Sequence, residues 1–257
     1  MTKVLKISKG VTLIELMVAL VISAILIAVL YRTFIAQQKT YTVQEQVVDM
    51  QQNARLAINK LIRDIRMAGF GNVGRVLPTM GHANPLTMNA DNITIIGAFR
   101  HLVDPETKEP ITVAETAGNT ITLSHPTDEF DNYDFICIGG LFSYIIQGPK
   151  PRGKVNVLTL DRKPKDPKGE YIYRIEALTY NLATIANLAD SVESLQFGYL
   201  DENGEPTGTA DNVRMVRLVV TARTKDPDPN YKGVDGYRRR VITSNIQLRN
   251  IGLSSSP

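Results

Sequence analysis

The N-terminal part of the chain divides into stretches by polarity. Lys3, Lys6 and Lys9 precede Gly10, and residues 11–31 then form an apolar run of 21 residues with a single charge, Glu15. As a helix rising about 1.5 Å per residue, the run reaches about 32 Å, enough to cross a hydrocarbon core of about 30 Å. From Arg32 to Ala68 there is neither proline nor glycine. Val47, Met50, Ala54, Ile58, Leu61, Ile65 and Ala68 recur there at steps of three and four, the spacing of one helix face. Glu45, Asp49, Gln52, Arg55, Asn59, Lys60, Arg63 and Arg66 fall on the opposite side. The pattern predicts one helix over about 11–68, roughly 85 Å long, apolar all round in its first half and amphipathic in its second.

After residue 70 the period changes. Short β-branched runs alternate with turn residues and predict strands at 93–99, 120–123, 135–138, 141–147, 155–160, 171–182, 195–200, 213–224 and 239–248. Gly139-Gly140 and Glu202-Asn203-Gly204 predict tight connections, the second a hairpin turn. A short helical turn is expected within 187–194. The fold class is therefore α+β: one long N-terminal α-helix, membrane-spanning in its first half, packed on an antiparallel β-sheet domain.

The carboxylate in the apolar run calls for an explanation, because a charge on a spanning helix costs on the order of 3 kcal/mol at mid-bilayer and less near an end. A secretory signal peptide would carry an apolar core of about 7 to 15 residues followed by small residues. This run is longer and leads into Tyr31-Arg32-Thr33-Phe34. A plain membrane anchor explains the three lysines as cytoplasmic-side charges but gives no reason for Gly10 or Glu15. Spacing alone leaves a plain anchor and a specialised one both open.

Composition narrows the chemistry. The chain has 257 residues, 21% of them charged, with a net charge of +3. That mild balance demands no acidic partner. About 190 residues follow the helix, ample for one elaborated domain. Cys137 is the one cysteine, so no intramolecular disulfide is possible, and its setting in Phe135-Ile136-Cys137-Ile138 predicts a buried small hydrophobe. His82, His101 and His125 have no ligand-like spacing, and no serine sits in a nucleophile-elbow pattern. The residues predict a non-enzymatic protein without cofactor. Gly69-Phe70-Gly71-Asn72-Val73-Gly74 matches G-x-G-x-x-G, yet it ends a helix, where exposed carbonyls repel phosphate, so it reads as a helix C-cap and turn. Asp226-Pro227-Asp228-Pro229-Asn230 places oxygen ligands as calcium loops do, but two prolines stiffen it and the EF-hand glycine and glutamate are misplaced. A solvated hairpin loop is the preferred reading. Of the basic clusters Lys150 to Lys168 and Arg238-Arg239-Arg240, the first is a Pro- and Lys-rich surface loop without interleaved aromatics for base stacking. The second is expected to alternate faces along an edge strand, where cations discourage stray pairing. DNA capture is the weaker reading.

Lys9-Gly10-Val11-Thr12-Leu13-Ile14-Glu15-Leu16-Met17-Val18-Ala19-Leu20 resembles the type IV prepilin signature. The resemblance implies a leader at 1–10, the long helix at 11–69 with its transmembrane segment at 11–31, and a β-rich domain at 70–257. It implies cleavage after Gly10 by a prepilin peptidase, with N-methylation of the new N-terminus, Val11, where the family more often has phenylalanine. Glu15 becomes the fifth residue. Physics gives it a role independent of the resemblance. Cutting after Gly10 creates a cationic amine four residues away, and opposite charges about 4 Å apart attract by about 4 kcal/mol at an effective dielectric near 20, before desolvation is subtracted. In the family that amine belongs to a neighbouring subunit. The alternative is a carboxylate favoured by the helix N-terminal dipole.

Two further stretches are similar to PilW-type minor pilins: the helix end from Ile62 to Gly71, and Leu188 to Phe197. So is the C-terminal run from Arg238 to Asn250. The GspJ-type pseudopilins of type II secretion are next nearest. The resemblance implies a minor pilin that primes or caps a filament, with other minor and major pilins and an inner-membrane assembly platform as partners. It implies a single-pass inner-membrane protein with a periplasmic C-terminal domain before assembly. A type II secretion pseudopilin, or an anchored periplasmic binding module that never assembles, are the alternatives.

Overall fold

The computed structural model describes residues 11–130, 134–147, 153–165 and 167–251. The leader 1–10, Gly10 included, and part of the 150–168 basic loop lie outside the described residues. Helix α1 spans Leu13–Arg66, 54 residues. It begins after Thr12, which stays extended at φ −76°, ψ 152° and serves as the N-cap, and Met67 ends it. The expected limits at 11 and 68 are each trimmed by these caps. Every residue from 11 to 34 is exposed. Farther along, Met50, Ala54, Ala57, Ile58, Leu61 and Ile65 are buried on one face, as the spacing predicts. Val47 at the near end of that stripe is half-buried.

The remaining elements are β1 (Leu86–Met88), β2 (Asn92–His101), β3 (Val113–Ala117), β4 (Thr120–Thr127), β5 (Phe135–Ile138), β6 (Phe142–Gln147), β7 (Val155–Leu160), β8 (Ile172–Asn181), a short helix α2 (Leu182–Ala186), β9 (Val192–Leu200), β10 (Met215–Arg223) and β11 (Arg239–Gln247). They form two antiparallel sheets, one of eight strands in the order β1-β2-β8-β5-β6-β7-β4-β3 and one of three in the order β11-β10-β9. β1 and β3 were not anticipated. The first is three residues long, and Val-Ala-Glu-Thr-Ala in β3 holds too little apolar signal. The helical turn expected at 187–194 occurs earlier, as α2, because Asn181 and Thr184 form a reciprocal capping box that ends β8.

Two main cores account for this layout. The buried face of α1 contributes Ile58, Leu61 and Ile65 to a cluster with Leu218, Val220 and Ile246 of the three-stranded sheet. Each fully buried side chain of this size is worth about 1.5–3 kcal/mol, so the stripe docks the rear half of the helix. The chain from the end of β2 to the start of β8 builds a second core around Ile111, Ile121, Ile136, Leu158 and Ile172. It is an elaboration away from the helix.

One charged residue lies on the docked face. Asp64 is 7% exposed; it accepts the Tyr180 hydroxyl and the Lys60 ammonium, the latter at 2.8 Å. This contact ties α1 to β8 through a group that the apolar stripe does not reveal. Tyr180→Phe leaves Lys60 in place and removes one hydrogen bond to a charged acceptor. It is expected to cost about 1.5–3 kcal/mol, read as a lower denaturation midpoint with unchanged slope.

Candidate functional site

The N-terminal end of α1 carries the sequence-predicted residues. Thr12 and Glu15 form a reciprocal capping box. The Glu15 N–H donates to Thr12 Oγ1 at 3.2 Å, while Glu15 Oε2 accepts from both the Thr12 N–H and the Thr12 hydroxyl at 3.0 Å. Orphan N–H groups of the first turn are thereby satisfied, as capping residues do. Among the described residues Glu15 Oε1 has no hydrogen-bond partner, so half of the carboxylate remains open to a second group. Val11, one residue before the cap, is 76% exposed. Thr12 is the residue that sequence reasoning passed over, although Thr-x-x-Glu is itself a capping signal. The arrangement can hold and orient a carboxylate.

The other candidates resolve into structure. Gly69 and Gly71 adopt φ +79° and +94°, and Asn72 φ +50°, in the turn after α1. The Gly69 N–H donates to the Ile96 carbonyl at 2.8 Å, so the glycine run joins the helix to β2. Cys137 is fully buried, and burial pushes its thiol up to about 12. Less than one thiol in ten thousand is ionised at neutral pH on that value. The native protein is expected to resist a disulfide-exchange reagent that labels it at once in denaturant.

Asp226 and Asp228 do not converge on a common point. Asp226 exchanges two hydrogen bonds with Gln46 of α1, at 3.2 and 3.3 Å. Asp228 is 5% exposed, and Arg238 donates to its Oδ2 from Nε and Nη2 at 2.9 and 2.7 Å. The Asn230 N–H and then Arg238 hold the Asp228 carboxyl below the usual carboxylate range. The loop joins antiparallel β10 and β11 and, Asp228 apart, is mostly exposed, as the hairpin-loop reading expects; what that reading lacked is Arg238, ten residues downstream, which folds back onto the acid. Among the described residues no three His, Cys, Asp or Glu side chains are grouped to hold a metal ion. Arg239 pairs with Glu193 and Asp235, so two of the three clustered arginines are neutralised within the fold. β11 is an edge strand, as expected. His101 packs near the Tyr171 and Tyr173 rings, and His125 lies between Ser124 at 3.1 Å and Glu109 at 3.8 Å. These histidines sit on separate strands.

The prokaryotic N-terminal methylation motif matches residues 5–31. Comparison with curated proteins and with solved structures returns no match. The motif spans Lys6, Lys9, Gly10, the capping box and the whole apolar run. Among the described residues one helix, α1, is long and apolar enough to cross a membrane, and none of its apolar window is buried. Motif and exposed apolar stem together support a type IV pilin-like protein, with processing by a prepilin peptidase and assembly with other pilins.

Proposed function

We propose that this chain is a minor pilin of the PilW kind, a non-enzymatic subunit that assembles through α1 to prime or cap a type IV pilus. On this reading residues 1–10 are a leader cut after Gly10, and Val11 becomes the methylated N-terminus. Glu15 is the charge that registers the subunit against a neighbour's amine. The observation that carries the reading is the stem itself: residues 11–34 are exposed without exception, and they sit inside a matched methylation motif. An exposed apolar surface of this length needs either lipid or other helices around it. The second core, built from the end of β2 to the start of β8, supports a specialised rather than a bulk subunit, since it adds a lobe that the helix does not need. The lysines before Gly10 support a cytoplasmic N-terminus, and on this reading the β domain is periplasmic.

Mass spectrometry of the native N-terminus tests the reading. A methylated Val11 is the expected result. An intact Met1 on protein from its native cell would overturn it.

A further inference from the structure

The β10–β11 loop lies along α1 toward the apolar span, from Gln46 down to Ile35. From 11 to 42 a single residue, Ile35, is half-buried and the rest are exposed. It shares a cleft of about 340 Å³ with Gln38 on the helix and with Pro227, Pro229 and Asn230 on the loop. Ile35 follows the end of the apolar run at Tyr31 by four residues, about 6 Å along the axis. The polar headgroup layer is about 5–8 Å thick on each side of a hydrocarbon core of about 30 Å. A helix tilt of about 20° shortens that height by less than a tenth. In an anchored chain the low side of this loop therefore lies at headgroup level.

The loop is also built to keep its shape. Asp226 grips Gln46, and Asp228 holds Arg238 through two donors. The Asp228 N–H donates to the Gly236 carbonyl at 2.9 Å, and Arg238 lies over the Tyr231 ring at 5.4 Å. What this frame presents outward is amphipathic: Pro227, Pro229, Asn230 and Lys232 are exposed, with Tyr231 at 42% and Val234 completely exposed. Tyrosine is favoured at the membrane–water interface, where its ring and hydroxyl are both satisfied. Between 225 and 238, Lys225, Lys232 and Arg238 balance Asp226, Asp228 and Asp235. A balanced segment gains little from anionic lipid, and it suits a zwitterionic surface.

The geometry points to a lipid surface as the partner of this loop: before assembly, residues 227–234 rest on the headgroups of the leaflet from which α1 emerges. The inference rests on α1 being membrane-anchored. The loop acts as a foot, with the ion-paired frame fixing the angle of the β domain over the bilayer, and leaving the membrane must break this contact.

The chain has no tryptophan, so a single one reports its own surroundings. Pro229→Trp and Asn230→Trp, each in the full chain reconstituted into phosphatidylcholine vesicles, are compared with Val157→Trp. Val157 is 49% exposed on β7, far from the helix-docked core. The expected result is emission at shorter wavelength than Val157→Trp, with several-fold stronger quenching by lipid brominated near the headgroups. Either loop variant showing this supports the contact. Co-flotation with vesicles while both loop variants emit and quench like Val157→Trp would overturn the contact and leave anchorage standing. Failure of the chain to float with vesicles overturns anchorage and the contact together.

Discussion

Glu15→Ala is expected to leave the chain in the membrane and to cut its incorporation into fibres by about 10- to 100-fold. The range comes from a hydrogen bond to a charged group, about 1.5–3 kcal/mol, with about 1.4 kcal/mol for each factor of ten. A second role for the same carboxylate must be separated from pairing, because Glu15 also closes the capping box with Thr12. Loss of a cap costs about 0.5–2 kcal/mol, but that loss frays one turn of a 54-residue helix and leaves the spanning segment intact. Glu15→Gln separates the two. Glutamine serves in a capping box as glutamate does, yet it brings no charge to a neighbour's amine. If pairing governs assembly, the glutamine variant fails as badly as the alanine one when sheared fibres are assayed for the subunit. Should it incorporate at the unmodified level, Glu15 is a cap and no more.

The helix and its docking face were legible because a 3.6-residue period survives any tertiary context: all the stripe positions from Met50 to Ala68 are buried. Glu15 was legible for a different reason, as the lone charge in an apolar run. Asp64 escaped notice because its partner Tyr180 is 116 residues away, and no local rule distinguishes a charge that will find a buried partner from one that will be solvated. The same limit governs Asp228. Its spacing with Asp226 suggested oxygen ligands, whereas the fold supplies Arg238 to one acid and Gln46 to the other. The division of the β domain into two cores was also hidden. Strand alternation says which face is buried, but the choice of sheet is made by pairing, and β10 with β9 and β11 forms its own three-stranded unit.

Gly71→Ala is expected to be among the most damaging of small substitutions, at about 2–5 kcal/mol, measured on the full chain in detergent as a fall in denaturation midpoint. Two costs add. The first is conformational: at φ +94° an L side chain crowds its own backbone, about 1–2 kcal/mol. The second is packing. A Cβ at this position would stand 2.9 Å from the Ala98 Cβ and 3.1 Å from the Cys137 Cβ and Sγ, and overfilling a packed core costs about 1–3 kcal/mol. Gly118 separates these contributions, since it has φ +63° and open space around it, so Gly118→Ala carries the first cost alone. Ala98→Gly in the Gly71→Ala background removes the nearest clashing atom. Against its own penalty of about 0.5–1 kcal/mol for glycine in a strand, the double variant is expected to recover stability, with a coupling energy of about 0.5–3 kcal/mol as contacting residues show. Additive losses would mean that strain alone matters and that the turn is not wedged against β2 and β5. A wedged turn transmits position: Gly69 and Phe70 bond β2 through Ile96 and Ala98 at 2.8 and 3.0 Å, so this contact fixes where the β domain sits on the stem that anchors it.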